Sequence, residues 1–132
     1  MDETKIIVTH RRALDAKYGA AVSRVMKAVD RLIAADAKRG IVSRLVALDR
    51  AADVRPFGTP AMRGATDREG AKRVIDAIDR KLRPHYILIL GAWDVVPMQL
   101  LDNVMGSLYF WPGGDPDEQV PSDLPYACDA KF

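Results

Sequence analysis

Apolar positions fall in two rhythms along the first ninety residues. Lys5-Ile6-Ile7-Val8-Thr9 is a short run rich in β-branched residues, the signature of a buried strand. His10 to Asp15 is polar and reads as a loop. Tyr18, Val22, Val25, Met26, Val29, Leu32 and Ile33 then recur at spacings of three and four, which predicts a long amphipathic helix. Lys38-Arg39 followed by Gly40 suits its carboxyl end: cations near the last carbonyls, then a residue tolerant of positive φ. Arg44 to Asp49 predicts a second strand. Residues 50–66, with Pro56, Gly58, Pro60 and Gly64, read as a long mobile link.

A second helix follows. Thr66 or Asp67 can cap it, Val74, Ile75, Ile78 and Leu82 form its stripe, and Pro84 stops it. Tyr86 to Gly91 is the third and most apolar strand, expected in the middle of the sheet. The order β-α-β-α-β, with nearly continuous apolar strands, predicts a Rossmann-type unit. Such a unit is a three-layer α/β sandwich whose parallel sheet is covered on both faces. After Pro97 the pattern fades. The 132 residues are read as one α/β domain, with its core at 1–97 and an acidic, proline-rich segment at 98–132.

Charge sharpens this division. Residues 1–97 carry 19 Lys/Arg against 12 Asp/Glu, whereas 98–132 carry one Lys against six acids. The net charge of +2 is too small to imply nucleic acid. The uncharged stretch Tyr86–Trp93 is far shorter than the ~20 apolar residues of a membrane helix. The start, Met1-Asp2-Glu3-Thr4-Lys5, lacks the basic-then-apolar layout of a secretory signal. One cysteine, Cys128, permits no internal disulfide and suits a cytoplasmic location. Neither nucleic acid nor membrane is expected as a partner.

In a parallel sheet, chemistry gathers beyond the carboxyl ends of the strands. Here those ends are Thr9-His10, Asp49-Arg50 and Gly91-Ala92-Trp93-Asp94. His10 and Asp94 would be neighbours if the first and third strands are adjacent, and such a pair suits acid–base work. An exposed loop histidine and a turn-capping aspartate is the blander account. The first turn, Thr9-His10-Arg11-Arg12-Ala13-Leu14, has no glycine, so neither the dinucleotide fingerprint nor a P-loop is present. Arg11 and Arg12 can still meet an anion, which keeps a small anion- or nucleotide-binding domain as a distant alternative. His85 lies at the wrong end of its strand for an active site. Cys128, among Asp123, Asp129 and Lys131, suits a buried small side chain better than a nucleophile. Trp93, Tyr109, Phe110 and Trp111 suit core or interface better than a ligand box.

Two stretches carry a family resemblance. Arg83-Pro84-His85-Tyr86-Ile87-Leu88-Ile89-Leu90-Gly91-Ala92-Trp93-Asp94-Val95-Val96-Pro97 and Val120-Pro121-Ser122-Asp123-Leu124-Pro125-Tyr126-Ala127 resemble the gingipain-type (C25) branch of caspase-like cysteine peptidases. Leu14 and Tyr18-Gly19, opening a long Ala-rich helix, are similar to the start of bacterial members. The resemblance implies a caspase-like sandwich, here incomplete, and thiol-dependent peptide cleavage by a His/Cys dyad. It puts that dyad on later strands, a His before Gly and then a Cys. Neither histidine here precedes Gly, and Cys128 comes too early, which leaves it an outside candidate for the nucleophile. The chain is thus expected to lack catalytic residues and to be inactive alone, its partners being the rest of the domain and a peptide substrate.

By the same resemblance 98–132 forms a cleft segment in which Asp123 and Tyr126 bind substrate; the equal alternative is that Asp123 only caps a turn and Tyr126 packs. An acid there would favour a basic P1 side chain. A degenerate, non-catalytic binding module is the alternative. No cofactor is expected. Calcium at Asp115, Asp117 and Glu118 is a weaker option, since these acids lack a rigid ligand spacing.

Overall fold

A computed structural model describes residues 3–105 and 115–128. Among these residues five strands and four α-helices follow in chain order: β1 Glu3–Thr9, α1 Arg11–Tyr18, α2 Val22–Ala37, β2 Ile41–Ala47, α3 Ala51–Val54, α4 Arg68–Leu82, β3 Tyr86–Ile89, β4 Gln99–Asp102 and β5 Gln119–Ser122. The chain divides into two compact units, 1–97 and 98–132.

The first unit is built on a parallel sheet of order β2-β1-β3. β1 is central because both of its edges are paired, Val8 lying opposite Val46 on one side and Ile89 on the other. Its Ile6, Ile7, Val8 and Thr9 are all buried. The sequence expectation puts β3 in the middle; among the described residues β1 takes that place, and β3 lies at the edge of the three-stranded sheet. Apolar composition reports how much of a strand's faces is covered. It does not report which strands flank it. Even the faces of β3 are only partly covered, Tyr86 being 47% and Leu88 39% exposed. The steps β1 to β2 and β2 to β3 run in opposite directions across the sheet. With right-handed crossovers, α2 and α4 then take opposite faces.

Residues 10–15 are not a loop. α1 starts at Arg11, and His10 is its N-cap, accepting the Ala13 amide at Nδ1 (3.1 Å). The sequence hid this helix because a histidine replaces the usual Ser, Thr, Asp or Asn cap and Leu14 is its one buried anchor. An Arg11–Asp15 pair (2.8 Å) supports it one turn apart. Gly19, at φ +50°, ends α1, and a 3₁₀ turn over Gly19–Ala21 leads into α2. Tyr18 therefore closes α1 and is exposed, outside the stripe expected to contain it.

At the far end of α2, Gly40 adopts φ +78° as the Lys38-Arg39-Gly40 pattern implies. Asp36, near that end, is fully buried. It accepts from Lys5 Nζ on β1 (2.7 Å), from Ser43 Oγ on β2 (2.6 Å) and from Arg39. Lys5 and Ser43 are register partners, so one carboxylate ties two strands and a helix together.

Residues 50–66 also differ from the expected mobile link. They hold α3, a 3₁₀ turn over Arg55–Phe57 and three buried side chains, Val54, Phe57 and Met62. Met62 donates its amide to Leu48 O (2.8 Å), and Asp53 accepts the Ala47 amide (2.9 Å). The stretch is pinned to the end of β2. α4 matches its sequence reading closely. Asp67 caps it through the Gly70 amide (3.0 Å), and Ala71, Val74, Ile75, Ala77 and Ile78 are buried.

In the second unit β4 and β5 pair antiparallel, Gln99 opposite Ser122 and Asp102 opposite Gln119. A 3₁₀ turn over Leu124–Ala127 follows. Among the described residues no helix is long and apolar enough to cross a membrane.

Candidate functional site

The order β2-β1-β3 reverses at β1, the step to β2 going one way and the step on to β3 the other, so the topological switch point lies beside the carboxyl end of β1. The turn after β1 and the turn after β3 meet there. Thr9 Oγ1 donates to Leu90 O (2.8 Å), and the Leu90 amide donates to Val8 O (2.8 Å). Gly91 turns away at φ +120°, with the position of a Cβ only 2.6 Å from Val95 Cβ. Any other residue there would meet both strain and a clash with the buried Val95.

His10 and Asp94 do not pair, although β1 and β3 are adjacent as that pairing required. Asp94 instead holds Lys17 of α1, with Nζ at 2.7 and 2.8 Å from its two oxygens. The Lys17 hydrogen bond lowers the Asp94 carboxyl below its usual range, and the same bond raises the Lys17 ammonium. The partner of His10 is at the end of β2: Asp49 Oδ2 lies 3.6 Å from His10 Nδ1, and both side chains are almost fully buried.

Asp49 is occupied by the amino end of α1. Oδ1 accepts the Arg11 amide (2.6 Å), and Oδ2 accepts the Arg12 amide (3.2 Å) and Arg12 Nε (3.3 Å). Burial pushes this carboxyl up, but the Arg11 and Arg12 amides, with smaller contributions from His10 and its own backbone amide, together hold the pKa below the ordinary carboxylate value. The Ala13 amide goes to His10 Nδ1, and the Leu14 amide to His10 O (3.0 Å). All four first-turn donors of α1 are thus satisfied from within the chain.

His10 Nδ1 cannot accept from Ala13 and donate to Asp49 at once. The 3.1 Å contact is a hydrogen bond and the 3.6 Å contact is too long for one, so the network assigns the ring proton to Nε2. His10 Nε2 is buried and has no hydrogen-bond partner among the described residues. The sequence reading had both His10 and Asp49 at strand ends. It missed their pairing because nothing local says that the first and second strands are also adjacent.

His85 is structural, accepting the Thr4 amide at Nδ1 (3.1 Å) and tying the starts of β1 and β3. Trp93 is 70% exposed rather than core, while Tyr109, Phe110 and Trp111 lie outside the described residues. In the second unit, Asp123 is exposed and its carboxylate does not cap the following turn. Ser122 Oγ accepts the Leu124 amide instead (3.1 Å). Tyr126 is buried, its hydroxyl accepting from Gln99 Nε2 (2.8 Å). Cys128 is exposed, which corrects the buried reading, with Sγ 3.9 Å from Leu124 O. Asp115 holds the Asp117 amide (3.0 Å), and among the described residues no three acidic, His or Cys groups gather to hold a metal.

Comparison with protein-family models, with curated proteins and with solved structures finds no match.

Proposed function

We propose that this chain is the amino-terminal portion of a caspase-like cysteine peptidase domain of gingipain type. It contributes part of the sheet and of the substrate cleft and does not itself carry the His/Cys dyad. The observation that carries the reading is the Tyr86–Pro97 stretch. Its apolar strand is parallel to β1, and its glycine makes a turn that other residues resist, at the switch point where such sheets do chemistry. Exposure of Asp123 suits a role opposite a basic P1 side chain, whereas buried Tyr126 suits a supporting role.

A non-catalytic binding module is the second reading, favoured by the exposed Trp93, Tyr86 and Leu88. Anion or nucleotide binding has the least support. The amino end of α1, where a phosphate would be expected in a doubly wound sheet, already holds the Asp49 carboxylate.

The test is incubation of the chain with peptides of basic P1 residue, joined to reading the gene beyond codon 132. The expected result is no turnover, with a His-Gly strand and then a strand ending in Cys encoded downstream. Turnover abolished by Cys128→Ser would make Cys128 the nucleophile. A downstream sequence without the dyad would leave the binding module.

A further inference from the structure

We propose that His10 is a proton-dependent cap: neutral, it holds the first turn of α1, and protonated, it releases that turn and pairs with Asp49. This inference is independent of the peptidase reading. Nε2 carries a proton in both states, so titration changes only Nδ1. That atom lies between two partners of opposite demand. The Ala13 amide, at 3.1 Å, needs a lone pair on it. Asp49 Oδ2, at 3.6 Å, needs a proton on it. Protonation exchanges one for the other, and a small ring movement closes the longer distance.

The surrounding charges are few. From β2 comes Asp49. From α1 comes the Arg12 guanidinium, which sits on the same carboxylate, while the Arg11 guanidinium is drawn to Asp15. From β3, among the described residues, this turn meets the uncharged Leu90 carbonyl, through Thr9. Arg11 and Arg12 keep their amides on Asp49 in both states, so release is confined to the turn's Ala13 donor.

The experiment is nitrogen-15 NMR on the whole chain from pH 8 to 5, reading the histidine tautomers and the exchange of backbone amides, corrected for intrinsic rates. At pH 8 both histidines are expected with Nδ1 unprotonated. As His10 titrates, protection of the Ala13 amide should fall about fivefold to tenfold, the worth of a cap, with Arg11 unchanged. His85 is the internal control: it is exposed and its Nδ1 serves Thr4, so its titration should leave Ala13 alone. His10→Asn keeps a capping oxygen that does not titrate and should abolish the pH dependence at Ala13. A proton on Nδ1 of His10 at pH 8 would overturn the proposal. So would Ala13 protection that ignores the His10 midpoint, a result the wild-type chain gives even if the variant fails to fold.

Discussion

The sheet carries a buried carboxylate toward each end, and the two are held by different means. Asp36, toward the amino ends of β1 and β2, is surrounded by side chains: Lys5, Ser43 and Arg39. Asp49, at the carboxyl end, is held mainly by backbone amides of a helix start, with one exposed arginine added. The first arrangement is closed, since each group that meets there finds its partner within it. The second leaves a neighbour, His10, with a buried ring nitrogen unpaired among the described residues. An unpaired buried donor costs stability and calls for a partner. The amino end of this sheet is a self-contained clasp, and the carboxyl end is not.

The largest expected effect tests the clasp. Asp36→Asn keeps the shape and removes the charge, leaving Lys5 and Arg39 beside a neutral amide. A fall in Tm of roughly 10 °C is expected, in line with breaking a buried ion pair in a chain of this size. The same carboxylate governs acid sensitivity. The hydrogen bonds from Lys5 and then Ser43 hold its pKa down at about 2, against 3.8 when unperturbed. Between these values the unfolded chain binds more protons than the folded one, so stability rises with pH. Its contribution is complete above about pH 4 and is lost as pH falls toward 2. Thermal melts across that window should be visibly flatter for Asp36→Asn than for the parent. Equal slopes would show that Asp36 is not the group responsible.

Asp49→Ala comes next. It removes the acceptor for two first-turn amides of α1 and should cost about 1–2 kcal/mol, the scale of a lost cap, by urea titration. The comparison also predicts where the loss appears. Exchange should quicken at Arg11 and Arg12, with the β1–β2 ladder unchanged. A loss spread over the whole sheet would make Asp49 a second clasp.

Much of the first unit was legible because its signals are local. Asp67, then Val74, Ile75 and Ile78, place α4 to within a residue, and Lys38-Arg39-Gly40 ends α2 where such residues end helices. What was illegible depends on partners far along the chain. α1 is a helix because Asp49, more than thirty residues away, reaches its amides. β1 is central because two distant strands pair with it. The link at 50–66 is pinned by Phe57 and Met62, isolated apolar residues that no period picks out. The site suffered likewise. His10 and Asp49 were both recognisable as strand-end residues, but Asp94 was the wrong choice of partner because the sequence did not show that Lys17 would claim it.

The smallest effect belongs to that Lys17–Asp94 pair. Its side chains are 33% and 42% exposed, so water and salt screen it, and its two long-range ends must be ordered to meet. Lys17→Ala should shift Tm by no more than about 2 °C, and the shift should vanish in 1 M salt. The pair nonetheless spans the switch point, from α1 to the turn after β3. If its role is to position that turn, Lys17→Ala should alter the fluorescence of the neighbouring exposed Trp93 while barely moving Tm. A large fall in Tm with unchanged fluorescence would place this pair with the clasp at the opposite end of the sheet.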